Sequence, residues 1–271
     1  GNRDLAIACR IDIDNGRIAV DFDGSAQQTA GNVNCPLSVT AAGALYVFRC
    51  LMPEQVPACA GAFEDIEISA PEGSLLNARH PRAVAAGNVE TSQRVVDAVL
   101  GALAHAIDDR IPAASHGSMN NVALGSHGAD TAWDYYETMG GGLGAGPNRA
   151  GASGVQAHMT NTLNTPVEVL ERHFPLRMRR YALRRDSGGT GAHRGGDGLI
   201  REIEFLAEAS YTVLAERRRH APWGRAGGGD GAPGENRLDS DTLAPKCTGV
   251  ANAGQRLMII SAGGGGYGVS S

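Results

Sequence analysis

The stretch from Tyr135 to Glu171, YYETMGGGLGAGPNRAGASGVQAHMTNTLNTPVEVLE, concentrates glycines, amides, a histidine and carboxylates in one part of the chain. Glycine inside a regular element costs about 0.5–1 kcal/mol relative to alanine. The five glycines between Gly140 and Gly146 are therefore expected where the backbone turns sharply or approaches another group closely. The stretch predicts the wall of a site, against which a ligand or another segment packs.

The composition of the whole chain indicates a globular protein of one large or two ordinary domains. The chain has 271 residues, of which 42% are hydrophobic, and a formal net charge of -5. An acidic balance argues against a nucleic-acid or anionic-membrane partner. The sequence contains no run of 18 apolar residues and no signal-peptide pattern at its start, so we expect a cytoplasmic protein.

The cysteines argue against disulfides and a zinc site, and the lysine excludes a P-loop. Five cysteines are an odd number and form no CxxC pair, which favours reduced, structural thiols over disulfides or a zinc site. Lys246 is the only lysine and follows no GxxxxG, so a P-loop is absent.

The first half of the chain combines a hairpin with helices. Asn15-Gly16 separates two alternating runs and predicts a type I′ turn. The apolar, alanine-rich run Val39–Met52 predicts a buried helix. Apolar spacings of three and four predict a second helix over Glu90–Ile107, with Asn88 or Thr91 as its N-cap.

The second half is predicted to be mostly β, with glycine-rich turns between its strands. We therefore expect an α+β fold of mixed sheets and a few buried helices, divided into an α+β part, 1–134, and a glycine-rich part, 135–271. The predicted strands are Pro175–Arg185, Leu199–Leu206, Ser210–Arg217 and Arg256–Ile260.

Ordered sequence blocks along almost the whole chain resemble the hydantoinase B/5-oxoprolinase family. This family contains the B subunits of ATP-dependent cyclic-amide hydrolases and is related to the α subunits of acetone-type carboxylases. The blocks include DFDGSAQQTAGNVNCPLSV (21–39), GNVETSQRVVDAVLGALA (87–104), GSMNN (117–121), YYETMGGGLGAGPNRAGASG (135–154), HMTNTLNTPVEVLE (158–171), DSGGTGAHRGGDGLIREIEF (186–205), APWGRAGGGDGAPG (221–234) and SAGGGGYG (261–268).

The resemblance implies that the chain, 1–271, corresponds to the C-terminal half of a longer subunit. The family's Asp/His metal ligands lie in its N-terminal half, which nothing in this sequence matches. A divalent metal (Mn, Fe or Zn) is therefore expected mainly in that other half. ATP and Mg are expected on an A-type partner subunit.

The resemblance also implies a reaction. The A subunit phosphorylates the carbonyl oxygen of a lactam or hydantoin, and the B subunit opens the activated ring. Two alternatives remain: the α-type subunit of an ATP-dependent ketone carboxylase, and a half that is structural and provides only subunit contacts. We expect contacts with the A-type subunit, the chain's own N-terminal half and a small cyclic amide.

Two titratable residues of the opening stretch are candidates for proton transfer. His158 follows a glycine-rich segment and precedes polar residues, so it can contact a ligand, act as an acid or base, or complete a metal shell begun in the other half. The alternative is that it pins its own loop by hydrogen bonds. Glu137 directly precedes the glycine cluster and can act as a base or orient another group. The alternative for Glu137 is a carboxylate that binds exposed backbone N–H groups.

The segment NTLNTPVE after His158 offers polar groups for substrate binding. Asn161, Asn164 and Thr165 are the candidates. Thr165, Pro166 and Glu168 also match a capping box, which is the favoured interpretation of this segment. The free N–H groups of the predicted helix can contact an anionic ligand as well.

Further amide-rich positions suit the paired donor and acceptor groups of a cyclic amide. Asn88 and Glu90 open the second predicted helix, and Asn120 and Asn121 follow a glycine. These side chains can bind substrate or satisfy buried loop backbone, the second being favoured.

The remaining candidates are two histidines and two arginines. His116 and His127 lie eleven positions apart, without the spacing of a metal-binding pair. Arg194 and Arg201 flank a glycine-rich turn, where they can bind acidic groups of a partner or remain solvated. The glycine blocks match no dinucleotide fingerprint, which favours tight turns and close strand packing over nucleotide binding.

Overall fold

The chain forms an α+β fold, as predicted. The computed structural model describes residues 4–127 and 132–270 and divides into two compact units between Ile111 and Pro112. Few residues are helical, and the described strands form three sheets. The boundary expected after residue 134 falls inside a strand of the second unit, Trp133–Glu137. The glycine-rich stretch follows that strand directly and belongs to the same unit.

The first unit contains a three-stranded sheet that starts with the predicted hairpin. Strand β1 (Arg10–Asp14) pairs antiparallel with β2 (Arg17–Asp21), which pairs parallel with β3 (Ile66–Ser69). Asn15 has φ 47° and Gly16 has φ 83°. Because a type I′ turn needs positive φ at both central residues, the Asn-Gly dipeptide explains this turn.

Two helices pack together in the first unit. Helix α1 spans Leu37–Leu51, close to the predicted range, and a short 3₁₀ turn follows at Ala60–Phe63. A π-turn at Gly87–Thr91 leads directly into α2, Ser92–Leu103, which ends four residues before the predicted Ile107. No helix in the described ranges is long and apolar enough to cross a membrane.

The predicted N-cap of α2 is wrong. Helical backbone already begins at Gly87, so Asn88 and Thr91 both lie inside it rather than at its start. The Thr91 hydroxyl donates to the carbonyl oxygen of Val33 at 2.5 Å, and no side-chain cap bond forms. The π-turn, which periodicity did not indicate, decides where the helix starts.

The second unit is built from two antiparallel sheets, which confirms the predicted β-rich half. A five-stranded sheet has the order β10-β9-β12-β7-β6, and a four-stranded sheet has the order β11-β8-β4-β5. The strands are β4 (Asn121–Ser126), β5 (Trp133–Glu137), β6 (Leu176–Arg184), β7 (Gly198–Phe205), β8 (Ala209–Leu214), β9 (Glu235–Leu238), β10 (Asp241–Thr242), β11 (Lys246–Ala251) and β12 (Arg256–Ile260).

Both sheets of the second unit contribute alternate side chains to one hydrophobic core. Phe205 and Leu257 come from the five-stranded sheet, and Val122 and Val213 come from the four-stranded sheet. Leu170 of the short helix α3 (Val167–His173) completes this core. Period-two alternation along each strand explains why one face of each sheet is buried.

The capping box predicted for α3 does not form. Pro166, rather than Thr165, immediately precedes the helix, and its ψ of 140° is not helical. No side chain caps the helix. The backbone N–H of Thr165 instead donates to Glu137, so tertiary contacts override the local pattern.

The glycine-rich blocks form segments that lie side by side, connected by backbone hydrogen bonds. Gly142 donates to Ala262 at 3.0 Å, Gly196 donates to Leu143 at 2.9 Å, and Gly264 donates to Gly196 at 2.9 Å. A Cβ on Gly142 would lie 1.9 Å from the carbonyl oxygen of Gly196, which only glycine allows. The predicted close packing is confirmed, and turns lie within the blocks at 147–148 and 226–227.

Candidate functional site

The candidate site is the loop His158–Thr165 of the second unit, which connects the glycine-rich segments to α3. Before the loop, Gly141 and Val155 exchange two backbone hydrogen bonds of 2.9 Å. His158 itself has φ 52°, in the left-handed region that a non-glycine residue rarely adopts. Its side chain is half-buried, with Nε2 shielded from solvent. The fold thus holds the histidine in an uncommon conformation at the start of the loop.

Glu137, at the end of β5, anchors the other end of this loop. One carboxylate oxygen, Oε1, accepts a 2.5 Å hydrogen bond from the backbone N–H of Thr165. The other, Oε2, accepts a 2.6 Å hydrogen bond from the Tyr135 hydroxyl and forms an ion pair with Arg201. Glu137 is 6% exposed and Arg201 is 2% exposed. Both oxygens are engaged by protein groups, an arrangement that suits positioning better than proton transfer to a ligand.

Arg201 is buried, whereas the sequence predicted it at the surface, either solvated or in contact with acidic groups of a partner. It sits on the same face of β7 as Leu199, Ile203 and Phe205, all of them buried. Burial lowers the pKa of its guanidinium, and the nearby Tyr135 opposes that shift. The period-two pattern of the strand was the sequence signal that could have placed Arg201 inside.

Asn164 is also used to hold the loop. Its Nδ2 donates to the carbonyl oxygen of Thr138 at 2.7 Å, and its Oδ1 accepts from the Tyr181 hydroxyl at 2.8 Å. The hydroxyls of Thr138 and Thr162 are 2.6 Å apart, and Gln156 Nε2 donates to Thr138 Oγ1 at 3.2 Å. These contacts tie the loop to the segments on both sides of it.

Asn161 and Leu163 form the exposed tip of the loop. The Asn161 side chain is exposed and makes no hydrogen bond with any residue in the described part of the chain. Leu163 is 95% exposed. Of the predicted substrate-binding residues in the second unit, Asn161 is therefore the one whose amide remains available to a ligand.

Asn120 and Asn121 serve the internal structure of the second unit. Asn120 donates to the carbonyl oxygen of Met139 at 3.1 Å and accepts a hydrogen bond from Arg218. Asn121 accepts from the Tyr136 hydroxyl at 2.6 Å. Both asparagines are almost fully buried, which supports the interpretation that they satisfy loop backbone and neighbouring side chains.

Asn88 and Glu90 belong to the first unit. Both lie in the π-turn before α2, where Asn88 is exposed and Glu90 is 1% exposed. The Asn88 carbonyl oxygen accepts from the Ser92 hydroxyl at 2.5 Å. π-turns occur frequently at functional sites, so this turn is a separate candidate position within its own unit.

The two weaker histidine candidates have different environments. His116 is 1% exposed and its ring lies beside Gly141, where a Cβ would come within 2.5 Å of the His116 Cγ. His127 is largely exposed, with Nε2 3.7 Å from an Asp134 carboxylate oxygen. Over residues 4–127 and 132–270, no group of three or more His, Cys, Asp or Glu side chains could hold a metal ion. The described residues therefore do not by themselves fit the divalent metal that the family resemblance implies.

Sequence reasoning missed the residues that connect the loop to the sheets. Tyr135, Thr138, Gln156 and Tyr181 were not identified as site residues, and Arg201 was considered only as a surface group. Their hydrogen bonds join positions up to 66 residues apart, as between Arg201 and Tyr135. Local patterns carry no signal for such pairings, apart from the strand alternation that buries Arg201.

Relatives of this chain include proteins named for cyclic-amide hydrolysis. It is 44% identical over 263 residues to 5-oxoprolinase 1 of Arabidopsis thaliana, covering 95% of this chain and 20% of that protein. It is 42% identical to uncharacterized protein MJ0963 of Methanocaldococcus jannaschii, with 97% and 47% covered. The B subunit of a putative D-/L-hydantoinase from a Pseudomonas strain is 32% identical, with 98% and 47% covered. The chain thus spans from about a fifth to about half of these relatives' lengths.

Solved structures share the fold. The ATP-dependent caprolactamase of Pseudomonas jessenii matches with a TM-score of 0.86 at 24% identity, covering 97% of this chain and 48% of that one. A nucleotide-free acetone carboxylase matches with a TM-score of 0.79 at 15% identity, covering 97% and 41%. At these identities the likeness concerns the fold alone.

The family model for hydantoinase B/oxoprolinase matches residues 2–270, nearly the whole chain. The relatives support the same assignment through identities of 36–44% to several 5-oxoprolinases. The chain therefore belongs to the hydantoinase B/oxoprolinase family.

Proposed function

We propose that this chain is part of the B-type component of an ATP-dependent cyclic-amide hydrolase, in which it helps to open a carbonyl-phosphorylated lactam or hydantoin ring. Family membership supports this class of reaction, since relatives are named 5-oxoprolinases and hydantoinase subunits. Because amide resonance makes the ring carbonyl a poor electrophile, a preceding phosphorylation would provide the leaving group. The proposal assigns that phosphorylation, with ATP and Mg, to an A-type partner.

The chain's own contribution in this proposal is the loop His158–Thr165. His158 would transfer a proton during ring opening, and the exposed amide of Asn161 would meet the paired donor and acceptor of the cyclic amide. The observation that carries the proposal is the fixation of this loop by partly buried hydrogen bonds at Asn164 and Thr165 while the side chain of Asn161 stays exposed. A loop that is held in one geometry before the substrate binds loses little conformational entropy when the reactive complex forms.

The other candidate residues of the second unit would support the loop rather than contact the substrate. Asn164, Thr165 and Glu137 would hold the loop, and Asn120 and Asn121 would support the segments behind it. The divalent metal would be bound mainly by the rest of the polypeptide. We expect the working enzyme to contain that rest and the A-type subunit, and to act in the cytoplasm.

A ketone carboxylase is the second candidate function, favoured by the fold shared with acetone carboxylase. In that case the same loop would face an activated ketone and carbon dioxide. A third possibility is that this part of the protein is structural and provides subunit contacts only. A shared fold does not distinguish the first two reactions, so substrate tests must separate them.

The test is ATP turnover by the intact protein that contains this chain, assembled with its A-type partner. ATP hydrolysis coupled to ring opening of 5-oxoproline, hydantoin or a lactam would support the hydrolase. Turnover that requires a ketone and bicarbonate would establish the carboxylase instead.

A matched pair of histidine variants tests the role of the loop. His158→Ala should lower kcat by about 10²–10⁴-fold, the usual contribution of a positioned acid or base. His127→Ala, at an exposed histidine of the same unit, should leave kcat unchanged. If both variants turn over like the wild type, the structural role is the correct one.

A further inference from the structure

We propose that the buried Glu137–Arg201 pair is a positioning device that fixes the loop His158–Thr165 and with it the orientation of His158. The expected effect of the pair on kcat rests on the proposed function. Its effect on the mobility of the loop can be measured without any substrate. Glu137 and Arg201 are positioning residues here, because both act through the loop rather than on the substrate.

The first connection runs from the ion pair to the loop backbone. Arg201 approaches one carboxylate oxygen of Glu137, and the other oxygen receives the Thr165 N–H at 2.5 Å. Tyr135 donates to the first oxygen at 2.6 Å. Every oxygen of the buried carboxylate is therefore satisfied, and one of its bonds ends at the last residue of the loop.

The second connection runs from the same guanidinium through an aromatic ring. The Arg201 Cζ atom lies 5.3 Å from the centroid of the Tyr181 ring, within the range of a cation–π contact. The Tyr181 hydroxyl donates to Asn164 at 2.8 Å. The guanidinium thus holds two adjacent loop residues, Thr165 through Glu137 and Asn164 through Tyr181.

The segment just before the loop is fixed by different groups. Gly154 donates its N–H to the carbonyl oxygen of Asp197 at 2.9 Å, and Val155 pairs with Gly141. His158 therefore lies between two fixed points of the chain, Val155 and Asn164. Only the tip that contains Asn161 and Leu163 projects into solvent.

The energetics of buried ion pairs favour positioning over stability as the role of this pair. Removing charges from water is costly, and well-packed apolar residues often replace a buried pair without loss of stability. Removing only one partner leaves an uncompensated charge and destabilises the fold strongly. The informative variant therefore replaces both residues at once, as in Glu137→Leu/Arg201→Met.

Hydrogen–deuterium exchange on the intact protein tests the hold directly. In Glu137→Leu/Arg201→Met, the Thr165 amide should exchange about 10- to 100-fold faster than in the wild type, since it loses a hydrogen bond to a charged acceptor. The matched control is Arg179→Met/Glu204→Leu, which removes another ion pair between β6 and β7. Exchange at Thr165 should be unchanged in that control.

Kinetic measurements on the same assembled enzyme test the consequence for His158. The double variant should lower kcat by about 10- to 100-fold, as expected for a small displacement of a catalytic group, with a much smaller change in KM. Tyr181→Phe keeps the ring over Arg201 and removes only the bond to Asn164, so it should give a smaller decrease in kcat. The Arg179→Met/Glu204→Leu control should keep the wild-type kcat.

The outcomes separate this inference from the proposed function. Wild-type exchange at Thr165 in a folded double variant would overturn the positioning role, as would faster exchange with an unchanged kcat in an active enzyme. A wild-type protein that shows no ring-opening activity would instead refute the hydrolase. The exchange experiment would still decide whether the pair holds the loop.

Discussion

At the scale of single residues, backbone contact distances divide the glycines of GGGLGAG (140–146) into two classes. Gly142 and Gly144 approach carbonyl oxygens so closely that a Cβ would lie within 2 Å of them. Gly146 is different, because the nearest atom to its Cβ position is the Arg149 Cγ at 3.8 Å. The block therefore contains both obligatory glycines and a position where a side chain fits.

This difference predicts opposite tolerances within one sequence block. Gly142→Ala should destabilise the protein by several kcal/mol, above the ~1–3 kcal/mol typical of overpacking, since backbone on the opposing segment must move. Gly146→Ala should change the free energy of unfolding by less than about 0.5 kcal/mol, as most tolerated substitutions do. Thermal or denaturant unfolding of the two variants measures the contrast. Equal stabilities would contradict the packing described for these segments.

The cysteines predict a pattern of thiol reactivity. Burial raises the pKa of Cys35 to about 12, against a hydrogen bond with Thr91 that lowers it, and burial raises the pKa of Cys9 to about 11. Cys50 and Cys59 are exposed. Since the thiolate is the reactive form, iodoacetamide at pH 8 should modify Cys50 and Cys59 in the folded chain and Cys35 only after unfolding. Peptide mass spectrometry reads the result, and rapid labelling of Cys35 in the native state would contradict it.

At the scale of elements, the two helices of the first unit differ in how closely their glycines are packed. A Cβ on Gly101, in α2, meets no atom within 4 Å, whereas a Cβ on Gly43, in α1, would lie 3.1 Å from Val95 Cγ1. Gly101→Ala should therefore stabilise the protein by about 0.5–1 kcal/mol, the usual gain inside a helix. Gly43→Ala should gain less or lose stability, because α1 and α2 must separate slightly. A larger rise in Tm for Gly43→Ala than for Gly101→Ala would show that the two helices do not pack as described.

At the scale of the whole molecule, the chain covers only part of its relatives, and several large apolar side chains are more than half exposed. We predict that isolated 1–271 self-associates or binds a hydrophobic dye more strongly than the intact protein. Light scattering and dye fluorescence on the two proteins check this. Monomeric 1–271 with cooperative unfolding and little dye binding would contradict it. The side chains concerned are Ile13, Tyr136, Leu163, Val250 and Val269.

Features with a local cause could be predicted from the sequence. Asn15-Gly16 supplies both positive φ angles of the hairpin, and the predicted strands recur as β6, β7, β8 and β12 because period-two alternation buries one face. Helix ends were less predictable. Both the N-cap of α2 and the capping box of α3 were wrong, since Thr91 and Thr165 make tertiary hydrogen bonds instead.

The location of the candidate site stays a prediction from the sequence, whereas the contacts of its members could not be predicted at all. Glycine density and polar residues indicated the stretch from Tyr135 to Glu171, and the loop His158–Thr165 lies in it. Which amide faces a ligand depends on partners far away in the chain. Asn164 is occupied by Thr138 and Tyr181, whereas Asn161 is exposed.

The sequence by itself determined the family and the α+β class, because these depend on composition, periodicity and ordered motifs. Only the tertiary structure decided that Glu137 holds a loop and that Arg201 is buried beside it. A carboxylate has the same local sequence signal whether it acts as a base or as an anchor. Its role follows from the donors that the fold brings to its oxygens, and those donors come from separate strands and a loop.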